Sequence, residues 1–137
     1  MSKGDARFLG AALAVDDLEK SVTFYKAVCG LTEIGRVNAQ LGGRDIVEVL
    51  FNSGDGPATF MLLKHARAFK PPVDEAMIFF TTEDIKAFFE RAVAHGAKVV
   101  DAPLYRADYG VASTLLRDLE GHLFGAIEEP ASASGAD

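Results

Sequence analysis

Three histidines and one cysteine are the side chains here best suited to proton transfer, nucleophilic attack or metal binding: His65, His95, His122 and Cys29. A catalytic histidine needs a substrate proton within reach, and in covalent catalysis it also needs a nucleophile beside it and a group that orients it. No spacing in the chain supplies a partner acid or nucleophile to any of the three. Gly-x-Ser-x-Gly and Cys–His signatures are absent, and Gly42-Gly43 lacks the lysine and helix start of a phosphate-binding loop, so it reads as a turn. The local readings are structural. His95 stands at a helix stop, where a cation favours the dipole. His122 occupies a turn where it can make a structural hydrogen bond, and His65 starts a linker from which it can reach a pocket mouth. A single cysteine excludes an internal disulfide, and Cys29 falls on an apolar helix face as a buried, inert thiol.

The elements that must position these groups occur twice. Asp16 or Asp17 can cap a helix, with Glu19 three residues after Asp16 as in a capping box. Leu18, Val22, Tyr25 and Cys29 then recur on one helical face, and Gly30 follows as the stop. The second copy places Asp84 before Ile85, Phe88, Phe89, Ala92 and Val93, and ends at Gly96. The predicted helices are Leu18 to Cys29 and Ile85 to His95. Predicted strands are Phe8 to Val15, Thr32 to Val37, Asp45 to Phe51 and Thr59 to Leu63 in the first half. In the second they are Met77 to Thr81, Lys98 to Asp101, Gly110 to Arg117 and His122 to Ile127. Asn38 to Arg44 reads as a Gly-rich turn, Ala102-Pro103 as a strand break, and Tyr105 to Tyr109 as a loop. His65 to Val73 links the halves. A repeat used only twice is a duplicated half-domain rather than a solenoid.

The fold class is therefore α+β: two tandem β-α-β-β-β units forming a curved eight-stranded mixed sheet, with the helices on its outer face. One domain spans 1–130, with halves at about 8–64 and 76–129, and 131–137 is expected to be a disordered tail. A chain of 137 residues with 49% hydrophobic residues can bury a core. No apolar run is long enough to cross a bilayer, and the start Met1-Ser2-Lys3-Gly4-Asp5 has no signal-peptide character, so a cytoplasmic location is expected. A net charge of −6 without a basic cluster argues against nucleic acid.

Three stretches resemble the vicinal oxygen chelate superfamily, the glyoxalase, bleomycin-resistance and extradiol dioxygenase fold. Val15-Asp16-Asp17-Leu18-Glu19-Lys20-Ser21-Val22-Thr23-Phe24-Tyr25 is similar to its opening helix, and Gly30-Leu31 to the helix stop. Tyr109-Gly110 through Arg117-Asp118-Leu119-Glu120-Gly121-His122-Leu123-Phe124 is similar to its closing hairpin, with Leu119 and His122 replacing the usual Pro and Asn. The resemblance runs from about Phe8 to Glu129. It implies metal-ligand positions on the first and last strand of each half, here Gly10, Met61, Met77 (or Ala76 with a slip of one) and Gly125. Glycine has no donor, a thioether is too soft for a hard divalent ion, and Glu75 a further slip away is one carboxylate only. The resemblance thus implies a member without metal ligands and with no cofactor.

What is left is the cavity of the sheet. Its expected walls include Phe8, Gly10, Ala12 and Ala14 on the first strand, with Thr59, Met61 and Leu63. The second half contributes Met77, Phe79 and Thr81, then Leu123, Gly125 and Ile127. Glu48, Tyr105, Arg106 and Tyr109 are candidate polar or stacking anchors. The ligand-binding set is Phe8, Ala12, Glu48, Met61, Met77, Phe79, Tyr105, Tyr109 and Leu123. The expected function is metal-independent binding of an apolar or aromatic small molecule, as in the antibiotic-sequestering members of the superfamily. The alternative is a lyase, isomerase or dioxygenase-type enzyme, metal-free or with unrecognised ligands. A homodimer is expected, because one short chain leaves apolar strand faces uncovered.

Overall fold

The computed structural model describes residues 8–67, 70, 72–74 and 76–129. In chain order the elements are β1 (Ala11–Ala14), α1 (Leu18–Cys29), β2 (Thr32–Leu41), β3 (Arg44–Asn52) and β4 (Phe60–His65). The second half repeats them as β5 (Met77–Thr82), α2 (Ile85–Ala94), β6 (Lys98–Arg106), β7 (Val111–Arg117) and β8 (Leu123–Glu128). The strands form two mixed four-stranded sheets, ordered β1-β4-β3-β2 and β5-β8-β7-β6. In each sheet the first and last strands of the half pair in parallel and the other pairs are antiparallel. The duplication read from the sequence is therefore a duplication of topology. Among the described residues no helix is long and apolar enough to cross a membrane. The expected tail at 131–137 and Glu75 lie outside the described residues.

Helix starts follow the caps read from the sequence. Asp17 accepts a hydrogen bond from the Lys20 amide at 3.1 Å, and Asp84 accepts one from Ala87 at 3.0 Å. Gly30 ends α1 at φ 66°, a left-handed conformation that a residue without Cβ adopts at little cost. Glu19 does not close the expected capping box. Its carboxylate pairs with Arg36 of β2 at 2.6 Å, and the Asp16 and Asp17 amides are taken by Glu120, more than 100 residues away, at 2.7 Å each. The Arg36 guanidinium, hydrogen-bonded to both Glu19 and Glu33, holds the two carboxyls below their ordinary range. Helix α2 ends at Ala94, with His95 as its C-cap.

Strand lengths differ from the sequence reading wherever a partner strand decides them. Phe8 and Leu9 precede β1, because the β4 ladder starts at the Ala11–Phe60 pair. Phe8 is 89% exposed. The turn expected at Asn38 to Arg44 shrinks to Gly42-Gly43, both at positive φ (56° and 77°), the two-residue hairpin that follows the strand twist best. Residues 38–41 then join β2, paired with β3. Strand β4 continues to His65, so the linker begins one residue later than expected. Ala102-Pro103 does not end β6, which runs to Arg106 through register shifts between Val99 and Asp101 and between Asp101 and Leu104. Pro103 is tolerated because β6 is an edge strand and the irregularity frees the proline from a ladder bond.

The core lies between the helices and one face of each sheet. Leu13, Phe60, Leu62, Val49 and Phe51 of the first sheet meet Phe24, Tyr25 and Val28 of α1. Leu116, Phe124 and Ala126 of the second sheet meet Ile85, Phe88 and Ala92 of α2. Val93, assigned to the apolar face of α2, is 43% exposed. The halves interlock through aromatic rings: Phe24 and Tyr25 approach Phe124 at centroid distances of 5.5 and 5.8 Å, and Phe60 approaches Phe80 at 6.0 Å. Cys29 packs against this core, and burial pushes its thiol well above the ordinary range, which keeps it protonated and unreactive.

Candidate functional site

The side chains that alternate away from the helices form the opposite face of each sheet. In the second sheet they surround an open cavity of about 610 Å³, a size typical of small-molecule sites. Strand β5 contributes Met77 and Phe79, 54% and 51% exposed, and the β6–β7 turn contributes Tyr109, 74% exposed. Val111 and Leu115 of β7 and Ile127 of β8 add apolar wall. The polar members are Asp101 and Arg106 of β6 with Ser113 and Thr114 of β7. Thr114 is buried, and its hydroxyl donates to the Asp101 carbonyl at 2.7 Å, which satisfies the acceptor left over by the β6 register shift.

The floor of the cavity depends on Gly125. It pairs with Phe79 and with Leu115, so all three positions share one rung. A Cβ at Gly125 would collide with the Thr114 carbonyl and lie 3.0 Å from the Phe79 ring. The ring therefore covers the glycine backbone, and any larger residue would push both β7 and Phe79 away. Gly10 is similarly restricted: a Cβ there would collide with the Thr59 carbonyl. Two of the four positions that the family resemblance assigns to metal ligands thus have no room for a donor side chain. The other two are Met61 and Met77, with thioethers too soft for a hard divalent ion. Among the described residues no three His, Cys, Asp or Glu side chains converge in a metal-binding group. The donor set does not fit the metal that the fold can carry.

The cavity brings together Met77, Phe79 and Tyr109 of the expected binding set, with Arg106 of the candidate anchors. Phe8, Ala12, Glu48, Met61, Tyr105 and Leu123 stand outside its lining. Ala12 and Met61 pair on the first sheet, and Glu48 pairs with Leu63 there. Tyr105 points into solvent at 64% exposure, whereas Leu123 is buried. Asp101, Ser113 and Thr114 line the cavity but were not singled out from sequence. All three fall on predicted strands, but alternation along a strand does not say which of its faces is left hollow.

None of the histidines lines the cavity. The His122 ring is buried, and its Nε2 donates to the Ala14 carbonyl of β1 at 2.8 Å; since a carbonyl can only accept, that nitrogen carries the proton. The His95 Nδ1 donates to the Arg91 carbonyl at 2.9 Å and closes the end of α2. His65 ends β4 opposite Ile46.

Residues 7–126 match the Glyoxalase/Bleomycin resistance protein/Dioxygenase superfamily. No curated protein matches the sequence significantly. Among solved structures, a glyoxalase family protein from Bacillus cereus is 24% identical with a TM-score of 0.76, over 96% of this chain and 99% of that one. A glyoxalase/bleomycin resistance protein/dioxygenase family enzyme from Burkholderia phytofirmans PsJN is 16% identical with a TM-score of 0.69, over 90% of this chain and 98% of that one. An E144Q mutant of glyoxalase I from Zea mays is 16% identical with a TM-score of 0.71; the match takes in 87% of this chain but 45% of the maize chain. Identities this low speak for the fold, and the family match covers most of the sequence. The chain belongs to the glyoxalase/bleomycin resistance protein/dioxygenase superfamily.

Proposed function

We propose that this protein binds an apolar, aromatic small molecule on the open face of β5-β8-β7-β6, without a metal ion. The observation that carries the reading is the exposed trio of Met77, Phe79 and Tyr109 around one concavity. Large apolar side chains left in water around a hollow gain about 25 cal/mol per Å² when a ligand covers them. The thioether of Met77 adapts to ligand shape, and the two rings offer faces for stacking. Glycine at 10 and 125 supports the metal-free part of the proposal, because neither position accepts an imidazole or carboxylate without moving a neighbouring strand.

The test is a fluorescence titration of chelator-treated protein with N-phenyl-1-naphthylamine, a neutral aromatic probe. Saturable binding at one site per chain is expected. Phe79→Asp, which places a charge on the wall, is expected to weaken it by about tenfold or more. Failure to saturate, or an unchanged affinity in Phe79→Asp, would overturn the cavity reading. A stoichiometric divalent metal in untreated protein, with binding lost on chelation, would overturn the metal-free part.

We also propose that the protein is a homodimer in solution. Ile34, Val37 and Leu41 of edge strand β2 and Val99, Val100 and Leu104 of edge strand β6 are exposed, and a second copy is the simplest cover for such faces. Light scattering should return about twice the 14.6 kDa of one chain, and a monomer at micromolar concentration would contradict it.

A further inference from the structure

We infer that the ligand of this cavity carries a single anionic oxyacid group, carboxylate or sulfonate in type, seated on Arg106 at the β6–β7 end. This inference rests on the cavity reading above and adds the charge and the orientation of the ligand. Among the described residues Arg106 is the one cation in the lining. It is held from two sides: its Nη2 donates to Asp108 at 3.0 Å, and its guanidinium lies 5.4 Å from the centroid of the Tyr109 ring. These two contacts restrict the guanidinium before a ligand arrives, so less entropy is spent on binding. Its remaining N–H donors have no hydrogen-bond partner among the described residues, and they form the fork geometry that matches an oxyanion.

The neighbours agree with this placement. Ser113, on the β7 face of the cavity, has a hydroxyl with no partner among the described residues and can donate to the same anion. Tyr109 supplies an aromatic face beside Arg106, so a ring bearing the acid group can stack while the acid pairs. Among the described residues the other charge in the lining is Asp101. Asp101 faces Leu115 and Arg106 faces Val111 across the same ladder, four residues apart on β7, or roughly 13 Å along the strand. The two charges are thus rooted at opposite ends of the lining, and with a Debye length of about 8 Å at physiological salt, solvent screening weakens the pull of Asp101 on Arg106. Asp108 offsets part of the cation but sits beyond the lining, on the turn. The cavity is therefore polar along its length: positive at the hairpin end, apolar between Phe79, Val111 and Ile127, and negative at Asp101. An amphiphilic anion can lie in it in one direction only.

Two dyes sharing one skeleton separate this inference from the reading beneath it. 8-Anilinonaphthalene-1-sulfonate carries the anion, and N-phenyl-1-naphthylamine is its neutral counterpart. In Arg106→Gln the sulfonate is expected to bind about tenfold more weakly, the worth of one charge-assisted hydrogen bond, while the neutral dye is unchanged and so reports an intact cavity. About 1 M sodium chloride, where the Debye length is about 3 Å, should weaken the sulfonate in the unmodified protein and spare the neutral dye. Asp101→Asn should leave both within about twofold. Equal losses for the two dyes in Arg106→Gln, or a sulfonate indifferent to both Arg106→Gln and salt, would overturn the anion site. A large gain for the sulfonate in Asp101→Asn would overturn the orientation. If neither dye binds, it is the cavity reading that fails.

Discussion

Asp118→Ala is expected to lower the unfolding free energy by about 3–5 kcal/mol, because it strips the acceptor from three donors at once. The Asp118 side chain is buried in the turn between β7 and β8. It receives the Tyr25 hydroxyl of α1 at 2.7 Å and the Glu120 and His122 amides at 2.9 Å each. The same turn sends Glu120 to the start of α1 and His122 to β1, so this five-residue segment clamps the second half onto the first. Tyr25→Phe removes one of the three bonds and should cost about 1.5–3 kcal/mol, the worth of a hydrogen bond to a charged group. Urea unfolding of the two single variants and the double variant checks this. The double variant should be less destabilised than the sum, since both changes remove the same bond, and strict additivity would show that the Tyr25–Asp118 contact carries no weight.

The pair also sets an alkaline limit. Burial first, and the Asp118 carboxylate second, raise the Tyr25 phenol well above its usual range. A raised folded value means that the native state favours the neutral phenol. The corresponding stability is complete below the ordinary tyrosine value of about 10 and is lost as pH rises through the folded value. Unfolding free energy should therefore fall above about pH 10 in the unmodified protein, and this fall should be smaller in Tyr25→Phe. A Tyr25→Phe profile as steep as the unmodified one would assign the alkaline loss to other groups.

Phe124→Ala is expected to cost about 3–5 kcal/mol, the usual loss for emptying a fully buried aromatic site. Phe124 is inaccessible to solvent and lies where both helices meet β8. Its ring meets Phe24 edge-on at 5.5 Å and approaches Tyr25 and Phe88 at 5.8 and 6.2 Å. These contacts come from two elements, Phe24 and Tyr25 of α1 and Phe88 of α2, so the cavity left by alanine cannot be closed by the shift of one element alone. Phe124→Leu, which retains more of the volume, should lose distinctly less. The readout is the denaturation midpoint at constant slope. A loss near that of an exposed substitution would mean that the aromatic junction does not hold the halves together.

The parts of this protein legible in its sequence were those with local causes. Asp17 and Asp84 announce helix starts because a short carboxylate can reach an amide three residues on, whatever the rest of the chain does. The apolar spacing along α1 and α2 marks which face is buried, and the repetition of that pattern reveals the doubled unit. That Gly10 has no side-chain donor and Met61 only a thioether is likewise a matter of residue type alone. The tertiary structure alone decided matters that depend on partners distant in sequence. Glu120 caps α1 in place of Glu19 because the β7–β8 turn brings a carboxylate to the Asp16 and Asp17 amides. Strand β6 continues past Pro103 because it lies at a sheet edge, where a missing N–H leaves no ladder bond broken. The cavity gathers Met77, Phe79 and Tyr109 but leaves out Phe8 and Leu123. Alternation along a strand says which residues share a face, whereas a hollow forms only where neighbouring strands, a bulge and a bare glycine leave that face unfilled.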